Sequence, residues 1–133
     1  GDGETQEGQV WEAAMFASAN KVDNLIAVID YNNQQIDGTC DEVLTLGDLS
    51  QRWSAFGWDV VSMDGHSFED ILDKMALAKS KLGGGKPVMV VMKTMMGKGV
   101  DFMCDTNEYH GKALSPAQLE VALQQLEQTL GDY

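Results

Sequence analysis

Apolar positions along the chain fall into two alternating patterns. From Gly8 to about Lys21, Val10, Trp11, Ala14, Met15 and Ala17 or Ser18 recur at helical spacing, and the many small residues predict a helix packed closely on a sheet. Leu25 to Asp30 is instead a continuous apolar run ending in polar residues. That is the signature of a parallel strand buried on both faces, with its carboxyl end at a site. Asn32 to Leu46 reads as a loop containing Asp37-Gly38, Leu49 to Phe56 as a short helix, and Trp58 to Met63 as a second strand. Ser67-Phe68-Glu69-Asp70 reads as an N-cap with acidic first-turn partners, opening an amphipathic helix through Phe68, Ile71, Leu72, Met75 and Leu82. Gly83-Gly84-Gly85 ends it, and Pro87 to Met92 supplies a third buried strand.

Thr94 to Ala113 is a Gly- and Met-containing loop, too long for a mere connection in a compact domain, which points to function. Ser115-Pro116 caps a final helix with Leu119, Leu123, Leu126 and Leu130 along one side. Helices alternating with apolar strands predict an α/β fold, a parallel sheet flanked by helices. A strand is expected to launch the turn at Gly1, so the fold is expected to be incomplete at its N-terminus.

Composition narrows this picture. With 133 residues, 44% of them hydrophobic, the chain can bury one modest core, so a single domain or part of one is expected. No apolar run approaches the ~20 residues that span a bilayer, and no signal-peptide pattern is present. A soluble protein with no membrane contact is expected. Cys40 and Cys104 form neither a Cys-x-x-Cys pair nor a metal spacing, and read as free thiols of a reducing cytosol. A formal charge of -12 opposes binding to nucleic acid or anionic membrane. It also means that any anionic ligand needs local cations: a bound metal, helix N-termini or the lysines near Gly97.

The candidate chemistry lies in Gly1-Asp2-Gly3-Glu4, read with Tyr31-Asn32-Asn33-Gln34. The interval between them holds one helical pattern and one apolar run, a unit that brings two strand ends together. The Asp2 carboxylate and the Asn32 amide oxygen would then converge beside a helix N-terminus. Hard oxygen ligands next to helical N–H groups suit a divalent cation bridged to a diphosphate. Taken singly, the same residue types also make ordinary Asx and strand-end turns.

This Gly-Asp-Gly-Glu, spacer, Asn-Asn pattern resembles the thiamine-diphosphate motif. Its filling, Glu7-Gly8-Gln9-Val10-Trp11-Glu12-Ala13-Ala14 followed by Asp23-Asn24-Leu25-Ile26-Ala27-Val28-Ile29-Asp30, resembles the transketolase family, in particular the chain that forms the N-terminal half of split bacterial transketolases. The likeness continues through Asp37-Gly38, Ala55-Phe56-Gly57-Trp58, Asp64-Gly65-His66, Lys93-Thr94, Gly97-Lys98-Gly99 and Tyr109-His110-Gly111-Lys112, in order over nearly the whole chain.

The resemblance implies that residues 1–133 are part of a single diphosphate-binding domain. It assigns Asp2, Asn32 and the backbone carbonyl of Gln34 to Mg²⁺ or Ca²⁺. It assigns Gly3 and Glu4 to the diphosphate through their N–H groups, counts Asn32 among the cofactor contacts, and sets Ile36 against the thiazolium. Glu7 and Glu12 match carboxylates that couple two active sites across a dimer interface, where a shared proton can carry the communication. His110 matches the histidine that contacts the diphosphate and the donor substrate. His66, at a strand-to-helix turn, reads as structural, and Lys112 is left between an anion contact and a solvated lysine. Met96 stands where many relatives carry a lysine, so that either Lys93 or Lys98 compensates or cofactor binding is weaker in this chain.

The activity implied is thiamine-diphosphate-dependent transfer of a two-carbon ketol unit between sugar phosphates in the cytoplasm. A pyrimidine-binding subunit or domain would be the partner, in a homodimer or heterotetramer. The alternatives are another thiamine-diphosphate enzyme, such as a deoxyxylulose-phosphate synthase, against which Gln6 to Glu12 argues, and a catalytically silent binding fragment.

Overall fold

The central feature of the computed structural model, which describes residues 1–127, is a three-stranded parallel sheet. Its strands are β1 (Ile26–Tyr31), β4 (Asp59–Asp64) and β5 (Val88–Lys93), ordered β1-β5-β4. The chain thus crosses over twice, with Ile29 opposite Val91 and Val61 opposite Val90. Helices α1 (Gly8–Ala19), α3 (Leu49–Ala55) and α4 (Phe68–Ser80) flank the sheet, and α5 (Pro116–Gln125) follows the long loop. Being parallel, all three strands deliver their carboxyl ends to one edge, where α/β folds place ligands.

Burial follows position in the sheet. Central β5 buries Val88 to Val91, whereas β1, predicted to be covered on both faces, buries only Ile29 and leaves Val28 49% exposed. Among the described residues β1 is an edge strand, which accounts for the difference.

On one sheet face α1 and α3 build a core around three tryptophans. Trp53 meets Trp58 edge-on at 4.9 Å and Trp11 at 5.1 Å. Such pairs contribute about 0.5–1.5 kcal/mol each beyond area burial. Two indoles also tie down α1 and its entry: Trp58 Nε1 donates to the Ala14 carbonyl and Trp11 Nε1 to that of Thr5. On the other face Ile71, Met75 and Ala78 of α4 pack on Val61, Met63 and Val90.

Several predicted details differ. The expected loop from Asn32 to Leu46 contains a hairpin, β2 (Gln34–Gln35) with β3 (Gly38–Thr39), and a short helix α2 (Cys40–Leu44). The helix is nucleated by a reciprocal capping box between Thr39 and Glu42, a Thr-x-x-Glu signal that the sequence carries. In α4, Phe68 and Leu72 are 86% and 71% exposed, and Leu82 lies beyond its end. In α5 only Ala122 is buried; Leu119, Leu123 and Leu126 are exposed, and Leu130 falls outside the described residues. Helical periodicity thus predicted the helices, but burial falls on Ala78 and Ala122 rather than on these larger apolar side chains.

Candidate functional site

The opening residues dock on the carboxyl end of β1. The Asp2 N–H donates to the Asp30 carbonyl at 3.0 Å, and a 3₁₀ turn over Gly3–Gln6 leads into α1. Asp2 caps that turn: its Oδ1 accepts the Gly3 N–H at 3.0 Å, and its carbonyl accepts both the N–H and the hydroxyl of Thr5. A Cβ on Gly3 would lie 3.2–3.3 Å from Gln35, so the missing side chain lets this turn sit against β2.

Across the chain, Asp2 Oδ2 accepts the N–H of Asn33 at 2.6 Å. Asn33 adopts a positive φ of 60°, which asparagine tolerates better than most residues. Its carbonyl accepts the N–H of Cys40 at 3.0 Å. The two halves of the motif therefore meet. Asn32, the neighbouring residue, turns its Oδ1 to the Gln34 N–H at 2.8 Å and its Nδ2 to Asp30 Oδ1 at 3.4 Å.

Asp2 is completely buried, yet no Lys, Arg or His side chain pairs with it among the described residues. Its carboxylate faces backbone N–H groups and the buried Cys40 thiol, whose pKa is pushed up to about 12 by burial first and by Asp2 next. Burial also raises Tyr31, with Asp41 and Asp2 adding to it. A buried carboxylate without a cation is costly, and each of its oxygens keeps a lone pair beyond the hydrogen bond it accepts. With the Asn32 and Gln34 oxygens, this donor set fits a hard divalent cation. Among the described residues no three His, Cys, Asp or Glu side chains cluster to hold a metal, so the fit depends on this mixture of carboxylate, amide and carbonyl oxygens.

In front of these residues opens a cleft of about 450 Å³. Gly3, Asn32 and Gln34 line it, with Ile36, 72% exposed, projecting at its side. Its charged lining is acidic, Glu4, Glu7, Asp30 and Asp37, against the imidazole of His110. No lysine lines it. Lys93 instead borders a second hollow of about 610 Å³, with Met63, Val91 and His66. Lys98 and Met96 line neither hollow.

His110 is exposed, ends a 3₁₀ turn over Asn107–Tyr109, and shares the cleft with Gly3 and Asn32. Neighbouring Tyr109 is held edge-on by Phe102 at 5.5 Å and through its hydroxyl by Gln118. Lys112 pairs with exposed Glu108 at 2.7 Å, which raises its pKa and matches the solvated reading. Glu7 and Glu12 are both exposed in the single chain, and only Glu7 reaches the cleft. The His66 side chain does structural work: its Nε2 accepts the Met95 N–H at 2.8 Å.

The sequence reading missed several contributors. Asn33 was legible as the second half of an Asn-Asn pair suited to positive φ, and Cys40 as the residue after a capping Thr39. Asp105 was not. It too has positive φ, and its side chain and carbonyl accept from the buried amide of Gln34, 71 positions away. Gln35, with a buried Nε2 that lacks a partner among the described residues, was also unmarked.

A parallel α/β sheet with a polar cleft at the carboxyl ends of its strands defines the class, an α/β ligand-binding domain with its site at that edge. The family model "Transketolase, thiamine diphosphate binding domain" matches residues 1–131, and the chain belongs to this family. A 6-deoxy-6-sulfo-D-fructose transketolase subunit from Clostridium sp. is 43% identical over 96% of this chain and 46% of its own length. An apulose-4-phosphate transketolase subunit from Phocaeicola vulgatus is 38% identical over 98% of this chain and 46% of its own. The transketolase crystal structure from Campylobacter jejuni superposes with a TM-score of 0.78 at 31% identity, covering 91% of this chain and 18% of that one. The chain spans about half the length of the curated relatives it matches.

Proposed function

We propose that this chain, as part of a single diphosphate-binding domain, supplies the metal and diphosphate half of a transketolase site. The reaction is transfer of a two-carbon ketol unit from a ketose phosphate to an aldose phosphate. One observation carries the reading: the buried Asp2 carboxylate, without a side-chain cation, is bonded to the residue next to Asn32.

Asp2, the Asn32 side chain and the Gln34 carbonyl would hold Mg²⁺ or Ca²⁺. Because the cleft is acidic, the metal rather than a lysine would make it receptive to a diphosphate. The N–H groups of Gly3 and Glu4 would bind diphosphate oxygens, with Asn32 beside them, and Ile36 would offer its exposed side chain to the thiazolium. Thiamine diphosphate, when bound, supplies the electron sink that lets a carbon–carbon bond beside a carbonyl break and re-form. His110 would donate to the diphosphate or pass a proton to a donor hydroxyl. Glu7 and Glu12, exposed here, would become buried and share a proton at a dimer interface.

The reading calls for a pyrimidine-binding subunit or domain, in a homodimer or heterotetramer, and for work in the cytoplasm; no described helix is long and apolar enough to cross a membrane. Reconstitution with that partner tests it. Ketol transfer between sugar phosphates that requires both thiamine diphosphate and Mg²⁺ supports the proposal. Binding heat without turnover, after reconstitution, supports a silent binding chain instead.

A further inference from the structure

Both proposed metal-binding side chains are tied to one residue that the motif does not include. Asp30 holds Asp2 through its main chain, whose carbonyl accepts the Asp2 N–H at 3.0 Å. It holds Asn32 through its side chain, Oδ1 accepting from Asn32 Nδ2 at 3.4 Å. The same oxygen accepts a hydrogen bond from the hydroxyl of Thr94, just past the end of β5. Thr94 is itself fixed: its N–H donates to the Tyr31 carbonyl at 3.1 Å, and the next N–H, of Met95, is held by His66.

Asn32 has two opposite ends, and only one can ligate a cation. Its Oδ1 carries lone pairs; its NH₂ group presents positive hydrogens. The Gln34 N–H on Oδ1 at 2.8 Å and the Asp30 carboxylate on Nδ2 select the same orientation. In the reversed amide, NH₂ would face an N–H donor, and oxygen would face a carboxylate. Outer hydrogen bonds of this kind set ligand orientation, and their loss typically weakens metal binding ~10- to 100-fold.

We propose that Asp30 is a positioning residue, braced by Thr94, which turns the Asn32 amide oxygen toward the metal and fixes Asp2 beside it. This rests on the metal site of the proposed function. The test is Mn²⁺ affinity, read from the paramagnetic resonance of free Mn²⁺ with thiamine diphosphate present, in the full assembly containing this chain. Asp30→Ala should weaken Mn²⁺ binding at least ~10-fold. In an Asn32→Asp background, where either end of the side chain offers oxygen, the same change should cost less than about threefold or strengthen binding. Asp30→Asn, which keeps an acceptor and serves if the alanine variant does not fold, should retain affinity within about threefold. An equal loss in both backgrounds, no loss from Asp30→Ala, or a loss from Asp30→Asn matching that from Asp30→Ala would overturn the positioning role. If Asn32→Ala itself leaves Mn²⁺ affinity unchanged, the metal-site reading fails together with it.

Discussion

Asp2 and Asn33, 31 positions apart in sequence, are joined by a 2.6 Å hydrogen bond from the backbone N–H of Asn33 to Asp2 Oδ2. This contact joins the two halves of the motif: it ties a buried carboxylate to the turn whose neighbouring residues, Asn32 and Gln34, line the acidic cleft.

Asp2→Ala is expected to act twice. It removes the acceptor for the Gly3 and Asn33 N–H groups, costing about 1–3 kcal/mol of stability. It should also abolish metal-dependent cofactor binding. Thermal unfolding with and without Mg²⁺ and thiamine diphosphate separates the effects: the wild-type midpoint should rise on addition, and the variant's should not.

His110→Ala should spare the fold and harm the reaction. The side chain is exposed, and the hydrogen bond that His110 makes to Asn107 comes from its backbone N–H, so the stability change should stay within about 0.5 kcal/mol. Turnover in the reconstituted enzyme should fall ~10²- to 10⁴-fold. A melting temperature lowered in proportion to the rate would make His110 structural.

Gly97→Ala should dislodge the long loop. At φ 69°, a Cβ there would sit 2.1 Å from the Met103 carbonyl oxygen, a backbone atom with little freedom to yield. The same loop carries Asp105 to Gln34, so the substitution should raise amide exchange at Gln34 as well as within residues 95–105. Exchange confined to the loop would uncouple it from the site.

The two thiols should behave differently. Cys40 is buried and its pKa is pushed up to about 12, whereas Cys104 is partly exposed. A disulfide reagent at pH 8 should therefore modify Cys104 and spare Cys40 in the folded chain. The folded state keeps the Cys40 proton at a pH where the unfolded thiol, near 9, has lost it. Its contribution to stability is thus complete below about 9 and is lost as pH rises toward about 12. Equal modification of both thiols at pH 8 would contradict the buried placement.

Much of the fold was legible because local signals agreed. The apolar run from Pro87 to Met92 gave the central strand, Ser67 and Ser115 marked helix starts by their side-chain caps, and the triple glycine marked an end. What failed to read was burial, since that depends on neighbours. Leu25 to Asp30 has the composition of a covered strand, yet lies at an edge among the described residues, and the leucines in and just after α5 stay about half exposed or more. The meeting of the Asp2 turn with the Asn32-Asn33 turn could be anticipated because a βα-type turn and the next strand end share one edge, although the hydrogen bond itself falls on Asn33. Asp105 reaching Gln34, or Thr94 reaching Asp30, could not, because those contacts depend on how a loop without periodic pattern folds back.

The most direct measurement is calorimetric titration of thiamine diphosphate into the reconstituted assembly, with and without Mg²⁺, for wild type and for Asp2→Ala and Asn32→Ala. Expected are Mg²⁺-dependent binding in wild type and loss of that dependence in both variants. Unchanged Mg²⁺-dependent affinity in either variant, with the fold intact, would contradict a cation gripped jointly by Asp2 and Asn32.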